Sequence, residues 1–566
     1  MIHGAPLSDY VRRTGSSEGA SVIDSAHEDT FVWDHLPPRD LWPDFRYDLP
    51  DLQWQGRLNC ADVLTGAARE AGYESRRCVT GDAESWSYGE LADNVDRIAH
   101  VLVSDHGLRP GNRVLLYGYN SPMLMAAWFA VVKAGGVVVT GVAALREREL
   151  AGMVEVARPT IALCDHRLTE RLRRVQEISD LPSLVSWGGE AAQLESRMQR
   201  HPRRFDAVGT APDDPCLIAF TSGSTGRPKA AVHSHRAVLA TCACFRGAAL
   251  HPSPSDVFIG SSPIAFTFGL LGLICYPVYV GASVVLLERP NAQRLAAAVE
   301  QHRATMCFTV PTVYRQWLTL RLTEQLGSLR TVISSGEPLA GTTWEEFHAA
   351  TGLEIVNVLG STEMLHAYMS IGPFPARPGS VGQPIRGYQA ALLDPDGQPV
   401  ATGEVGELAV KGPTGCLYLD DPDQQRERVR GGWTLTGDLA WQDADGYYWL
   451  YGRADGLIVT SGYNVAPDEV EAALLEHPGV AEGLVTSEPD PARGRRLVAM
   501  VVARPDALTP DAGGAAAVIE QLRDRLAPYK LPRTIVFVRE LPRTPTGKLQ
   551  RRGTPDEVIA RIDLAG

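Results

Sequence analysis

The string Thr221-Ser222-Gly223-Ser224-Thr225-Gly226-Arg227-Pro228-Lys229 combines three kinds of group that bind phosphate. Hydroxyl side chains and glycine backbone N–H groups can wrap phosphate oxygens, and the ammonium of Lys229 supplies a point charge for the β- and γ-phosphates. The string is not a Walker loop, which needs Gly beside the Lys and a helix opening there. Here Pro228 precedes Lys229, and Ala230-Ala231-Val232 reads as a strand. Lysine is scarce: the chain has five (Lys133, Lys229, Lys411, Lys530 and Lys548) against 49 Arg, so each survivor merits inspection.

The elements that must position this loop follow from periodicity. The apolar run Cys216 to Phe220 reads as a strand leading into it. Further β-branched runs at Arg113–Tyr117, Gly136–Val139, Thr160–Leu163, Ser283–Leu287, Met306–Val310 and Thr331–Ser334 alternate with helical patterns, which predicts mainly parallel α/β sheets. Met123 to Leu145 reads as a buried helix running into a strand, since Lys133 and Gly135-Gly136 interrupt it. After about residue 380, Gly and Asp turns punctuate short strands at Ala390–Leu393, Gly406–Lys411 and Gly446–Tyr451, as in a small antiparallel barrel. About 110 residues after Arg453 are long enough for a separate lid-like domain. Residues 1–30 read as a disordered leader, the Pro- and Trp-rich stretch to about 55 as an irregular strap, and Pro505 to Ala517 as a loop.

Composition bounds the function. At 566 residues the chain exceeds a single core, and 44% hydrophobic with 21% charged residues is ordinary for a globular protein. A net charge of −13 argues against a general nucleic-acid binder. The nine Cys are scattered without a C-x-x-C pair, which suits reduced thiols in a cytoplasmic protein. No His/Cys cluster with ligand spacing is visible, so no metal beyond Mg²⁺ is implied. The N-terminus lacks the apolar core of a secretory signal, and no stretch reads as a membrane span.

Five further motifs follow in order: Ser335-Gly336-Glu337-Pro338, Gly360-Ser361-Thr362-Glu363, Thr436-Gly437-Asp438, Gly452-Arg453-Ala454-Asp455 and Pro545-Thr546-Gly547-Lys548. With the phosphate loop, they resemble the superfamily of acyl-CoA synthetases, nonribosomal-peptide adenylation domains and luciferases. The resemblance implies an α/β fold: a large N-terminal domain (31–453) of two α/β sheet subdomains plus a small β-barrel, then a smaller mobile α+β C-terminal domain (454–566). It implies that a carboxylate and ATP give an acyl-adenylate and pyrophosphate, and that a thiol then takes the acyl group and releases AMP. By that resemblance Thr221 to Gly226 and Lys229 hold phosphates, and Ser335, Gly336 and Glu337 approach the adenine. Thr362 bonds the α-phosphate, Gly360 and Ser361 bind the nucleotide beside it, Glu363 helps hold Mg²⁺, and Asp438 with Arg453 holds the ribose. Lys548 bridges the reacting carboxylate and α-phosphate, Asp455 is the hinge, and Gly462 and Tyr463 line the pantetheine tunnel.

The segments Pro263-Ile264-Ala265-Phe266-Thr267-Phe268-Gly269-Leu270 and Met364-Leu365-His366 resemble the benzoate and 2-aminobenzoate CoA ligase branch. They suggest an aryl ring between Phe266 and Phe268, with Gly336, Thr267 and His366 beside it and His366 reading a polar substituent. Ala367 stands where such ligases usually carry a larger aliphatic, which leaves room for a substituted ring. The expected substrate is an amino- or hydroxyl-bearing aromatic acid, with 2-aminobenzoate the leading guess. The acceptor stays open between CoA and a carrier-protein phosphopantetheine, as do another nucleophile, activation of a group such as nitrite, and a homodimer.

Overall fold

Strands and return helices alternate along most of the chain, so neighbouring strands run parallel and both sheet faces are covered. The computed structural model describes residues 23–221, 228–246, 250–370, 377–454, 456–460, 463–490, 494–523, 525–526, 530–543, 549–551, 553–555 and 557–564. One sheet has six strands, ordered Leu184–Trp187, Ile161–Asp165, Arg113–Gly118, Val137–Val142, Pro215–Thr221 and Lys229–Ser234. Its last pair alone is antiparallel, a hairpin that sets Thr221 opposite Lys229.

A second sheet has nine strands. Its central neighbours Ile355–Gly360, Thr331–Ser334, Met306–Thr309 and Val257–Gly260 are mutually parallel. In open parallel sheets ligands bind beyond the carboxyl ends of the strands. The segments that begin at Ser261, Val310, Ser335 and Ser361 therefore leave the sheet along one edge.

Between the sheets lies the helix Pro122–Lys133, every residue of which is buried. Its composition is apolar all round, and such a helix must be enclosed. It shares one core with Val114, Leu116 and Val138 of the six-stranded sheet and with Phe258, Phe308 and Ile333 of the nine-stranded one. Its ends follow capping chemistry: Ser121 Oγ accepts from the Leu124 amide at 3.2 Å, and Asn59 Nδ2 donates to the Val132 carbonyl at 2.9 Å. Lys133 closes the helix with its ammonium 2.5 Å from Asp96 Oδ1. Lys411 likewise meets Asp44 Oδ2 at 2.5 Å, so two of the five lysines serve the fold.

Residues 23–30, read from sequence as part of a disordered leader, pack on the core instead. The Ala26 amide donates to Asp214 Oδ2 at 2.9 Å, and Asp29 accepts from Asn112 Nδ2 at 2.7 Å. The strap that follows contains three short helical turns, Phe31–Asp34, Arg39–Leu41 and Pro50–Leu52. Past residue 380 the strands Gln389–Leu393, Gly406–Lys411, Val429–Arg430, Trp433–Gln442 and Tyr448–Arg453 form one antiparallel sheet.

A four-stranded sheet, Val480–Asp490, Gly494–Ala503, Thr534–Val538 and Val558–Asp563, organises the C-terminal part with helices Pro467–Leu475 and Ala512–Arg523. That second helix corrects the loop read over Pro505–Ala517. Gly513 and Gly514 suggest a loop, but Asp511 Oδ1 accepts from the Gly514 amide at 2.9 Å, and Ala515, Val518, Ile519 and Leu522 are buried on the sheet. Burial of one face outweighs the local cost of glycine. Among the described residues, no helix is long and apolar enough to cross a membrane.

Candidate active site

Thr221 ends the strand Pro215–Thr221 and Lys229 opens its hairpin partner, so the two flank the loop between them. Ser222, Gly223, Ser224, Thr225 and Gly226 lie outside the described residues, as do Asp455, Gly462 and Lys548. The Lys229 ammonium donates to Gln424 Oε1. Tyr463 opens the short strand Tyr463–Val465, paired with Ile458–Thr460.

The loop after Ile355–Gly360 is a tight turn. The Leu365 amide donates to the Thr362 carbonyl at 3.0 Å, and Leu365 adopts φ 67°, a left-handed conformation unfavourable for a branched side chain. Gly360 permits the turn to close, because a Cβ there would stand 2.6 Å from the His366 carbonyl oxygen. His233, on the hairpin strand Lys229–Ser234, donates from Nε2 to the Thr362 carbonyl at 2.8 Å. Burial pushes the His233 imidazole down to about 4, which keeps it neutral. This bond ties the hairpin to the Thr362 turn.

Residues 417–419 add to the same strand through Val232 N–H to Leu417 and Leu419 N–H to Ala230. That pairing brings the Tyr418 hydroxyl to Glu363 Oε1 at 2.7 Å. Lys229, Thr362 and Glu363 are thus held by one interlocked set of strands. Tyr418 was not foreseen, because only strand pairing brings it to the carboxylate.

Ser335, Gly336 and Glu337 follow Thr331–Ser334 directly. Gly336 has φ +85°, which explains glycine at that position. Glu337 is fastened: Oε2 accepts from Thr312 Oγ1 at 2.7 Å, and Arg315 and Arg543 stand at 3.9 and 3.8 Å. Arg543 also donates to Glu482 at 2.8 Å, so Arg543 stands between Glu482 and Glu337.

Asp438 and Arg453 face each other across the antiparallel pair Trp433–Gln442 and Tyr448–Arg453, with Nη1 3.1 Å from Oδ1. Arg453 thus contacts the carboxylate directly. Burial raises the Asp438 carboxyl above its ordinary range, and Arg453 opposes that shift. Gly437, at φ +75°, leaves space that the Arg428 and Arg453 guanidinium groups occupy.

Beside the Thr362 turn is an aromatic cluster. The Phe268 ring stacks on His366 with centroids 5.5 Å apart, and Phe245 stacks on Tyr276 at 4.3 Å. Phe308 packs against both Phe268 and Phe245. Tyr276 Oη shares a hydrogen bond with His366 Nδ1 at 2.9 Å, and Nε2 of the same ring is buried without a hydrogen-bond partner among the described residues. Burial pushes the imidazole down to about 3, so it is uncharged. Thr267 and Ala367 are buried nearby in the chain. Phe266 joins none of the ring pairs among the described residues, and Phe268 stacks on His366. Phe245, Tyr276 and Phe308 were missed; each reads in sequence as ordinary core.

The arrangement joins a hydroxyl- and lysine-flanked loop, an acid held by a tyrosine, a paired Asp and Arg, and a neutral aromatic wall. Comparison with known proteins agrees with it. Residues 67–417 match the model of the AMP-binding enzyme family, and residues 469–548 match the AMP-binding enzyme C-terminal domain. A benzoate–CoA ligase of Thauera aromatica is 32% identical over 513 residues, covering 89% of this chain and 96% of that one. A 3-hydroxybenzoate–CoA ligase of Aromatoleum sp. (strain CIB) is 30% identical, covering 88% and 96%. The crystal structure of the anthranilate CoA ligase AuaEII with anthranoyl-AMP superposes with a TM-score of 0.84 at 28% identity, covering 88% of this chain and 96% of that one.

Proposed function

We propose that this chain, which belongs to the AMP-binding enzyme family and is an AMP-forming ligase of its benzoate and aminobenzoate branch, activates an amino- or hydroxyl-bearing aromatic acid and passes it to the thiol of CoA. The carrying observation is that one sheet edge presents the Ser335–Glu337 segment, the Thr362–Glu363 turn and the Phe268–His366 pair together. In the first half-reaction a carboxylate oxygen attacks the α-phosphorus of ATP, the bond to the β-phosphate oxygen breaks, and pyrophosphate leaves. In the second, the thiol attacks the acyl carbon and AMP departs with the bridging oxygen.

Lys229 and the hydroxyls from Thr221 to Thr225 hold the phosphates, Thr362 bonds the α-phosphate, and Asp438 orients the ribose with Arg453 fixing its carboxylate. Lys548 offsets charge between carboxylate and α-phosphate, and Asp455 marks where the C-terminal domain turns between half-reactions. One carboxylate beside phosphate oxygens is the donor set Mg²⁺ takes, and Glu363, its Oε1 fixed by Tyr418, fits it. When bound, Mg²⁺ neutralises phosphate charge. Replacing Tyr418 by Phe is expected to raise the Mg²⁺ concentration needed for half-maximal rate about tenfold at constant ATP; an unchanged requirement removes Tyr418 from this role.

Phe268 and His366 form an aryl-binding wall in this reading, and the unpartnered Nε2 of His366 suits a polar substituent on the ring. In this reading the small side chain of Ala367, next to His366 in the chain, is what admits that substituent. Ala367→Ile is expected to shift relative kcat/KM toward unsubstituted benzoate by about tenfold. Measured across an aryl-acid panel, equal ratios in both proteins would argue that Ala367 does not shape the pocket.

The function is tested with ATP, Mg²⁺ and the same panel, with pyrophosphate followed with and without CoA and the products identified by mass. An aryl-CoA thioester with AMP is the expected outcome. Pyrophosphate release without thioester points to a carrier-protein phosphopantetheine or another acceptor, and no release with any aryl acid overturns the substrate class.

A further inference from the structure

The base of the phosphate-loop hairpin carries a cluster that the chemistry above does not use. Cys216 lies near the start of the strand Pro215–Thr221, and His235 opens the helix His235–Arg246 immediately after the strand Lys229–Ser234. Cys60 opens the helix Cys60–Glu70. One ligand atom from each lies within 4.8 Å of the other two, and all three residues are 0% exposed. Their separation along the chain conceals the group from any spacing motif.

The surroundings are polar without being satisfied. The Cys60 amide donates to His235 Nδ1 at 3.2 Å, which places the hydrogen of the neutral ring on Nε2. That Nε2, both ring nitrogens of His27 and Oδ1 of Asp214 are buried with no partner among the described residues. His27 feels the charge of both Asp214 and His235, so these groups are neighbours. A buried unpartnered polar group costs about 1–3 kcal/mol, and several together around two thiols are not explained by apolar packing.

We propose that Cys60, Cys216 and His235 form a closed binding site for a Zn²⁺ ion. Two thiolates balance its charge in this enclosed place, and a ring nitrogen of His235 supplies the third ligand, the Cys60 amide giving up its hydrogen bond to Nδ1 when the ion binds. Asp214, whose charge acts on Cys216, borders the three without belonging to the group within 4.8 Å. The ion fastens the base of the hairpin, where Pro215 pairs with Ser234, to the first turn of the helix Cys60–Glu70. The opposite end of that hairpin holds Thr221 and Lys229, so the site would steady the phosphate loop from below.

The test uses the full chain. After exposure to ZnCl₂ and desalting, the protein is expected to retain about one zinc per chain by elemental mass spectrometry. Apo protein titrated with Co²⁺ is expected to show thiolate-to-cobalt charge-transfer absorption. Cys60→Ala/Cys216→Ala is expected to lose both signals, whereas Cys242→Ala, a nearby buried thiol outside the set, keeps them. A wild-type chain that retains no zinc and gives no thiolate–cobalt absorption overturns the proposal. So does a double variant that binds as well as wild type. Circular dichroism separates loss of site from loss of fold; if the double variant does not fold, the wild-type cobalt spectrum decides.

Discussion

Lys548→Ala is expected to slow pyrophosphate release from ATP and the aryl acid by about 10²–10³-fold, the usual cost of removing a group aimed at transition-state charge. Negative charge gathers between the substrate carboxylate and the α-phosphate as the new P–O bond forms, and a compact ammonium can approach both oxygens at once. Thioester formation from a supplied aryl-adenylate and CoA does not pass through that charge, so it is expected to keep most of its rate. Lys548→Arg should recover little, because a planar guanidinium is wider and directs its donors differently. The chain itself favours this reading: it keeps lysine here among 49 Arg. Arg543, five positions earlier, stands between Glu482 and Glu337. Equal loss in both half-reactions, measured separately, would remove Lys548 from the adenylation step.

The parts of the site that were legible in sequence are those whose chemistry is local. The phosphate loop announces itself because hydroxyls, glycines and a lysine fall within nine residues after a strand, and the structure sets Thr221 and Lys229 on either side of it. Asp438 and Arg453 were each read from a short string, but their direct contact depends on antiparallel register that neither string contains. Tyr276, Phe245 and Phe308 were invisible as site residues for the same reason: an aromatic residue in a helix or strand looks like core until its neighbours are known. Tyr418 needed the pairing of residues 417–419 with the hairpin, and the Cys60, Cys216 and His235 cluster needed three elements to meet. The helix Ala512–Arg523 was misread for a different cause. Gly513-Gly514 lowers local helix propensity, and only the buried face of Val518, Ile519 and Leu522 restores it. Long-range pairing and burial, then, account for what the sequence reading lacked.

Asp96→Ala is expected to destabilise the N-terminal part of the chain by about 3–5 kcal/mol, because it strands a buried ammonium. Asp96 is 0% exposed at its side chain and Lys133 is 7% exposed, with Nζ 2.5 Å from Oδ1. The next carboxylate, Asp62, stands at 3.7 Å and is half in solvent, so it compensates poorly. Lys133 ends the helix that lies between the two sheets, and Asn59 caps that same end through the Val132 carbonyl, so the damage would reach both sheets. The pair Lys411 and Asp44 supplies the contrast: Lys411 is also buried, but Asp44 is 52% exposed and the ammonium keeps the Gly431 carbonyl and the Trp433 ring, so losing Asp44 should cost less than losing Asp96. Removing both buried charges in Asp96→Leu/Lys133→Met should recover most of the stability, since apolar groups of similar volume avoid the desolvation of two ions. Urea midpoints of the single and double variants, followed by tryptophan fluorescence, read the difference. If Asp96→Ala behaves like Asp44→Ala, or if the double variant is as unstable as the single one, the pair is not what holds that helix end.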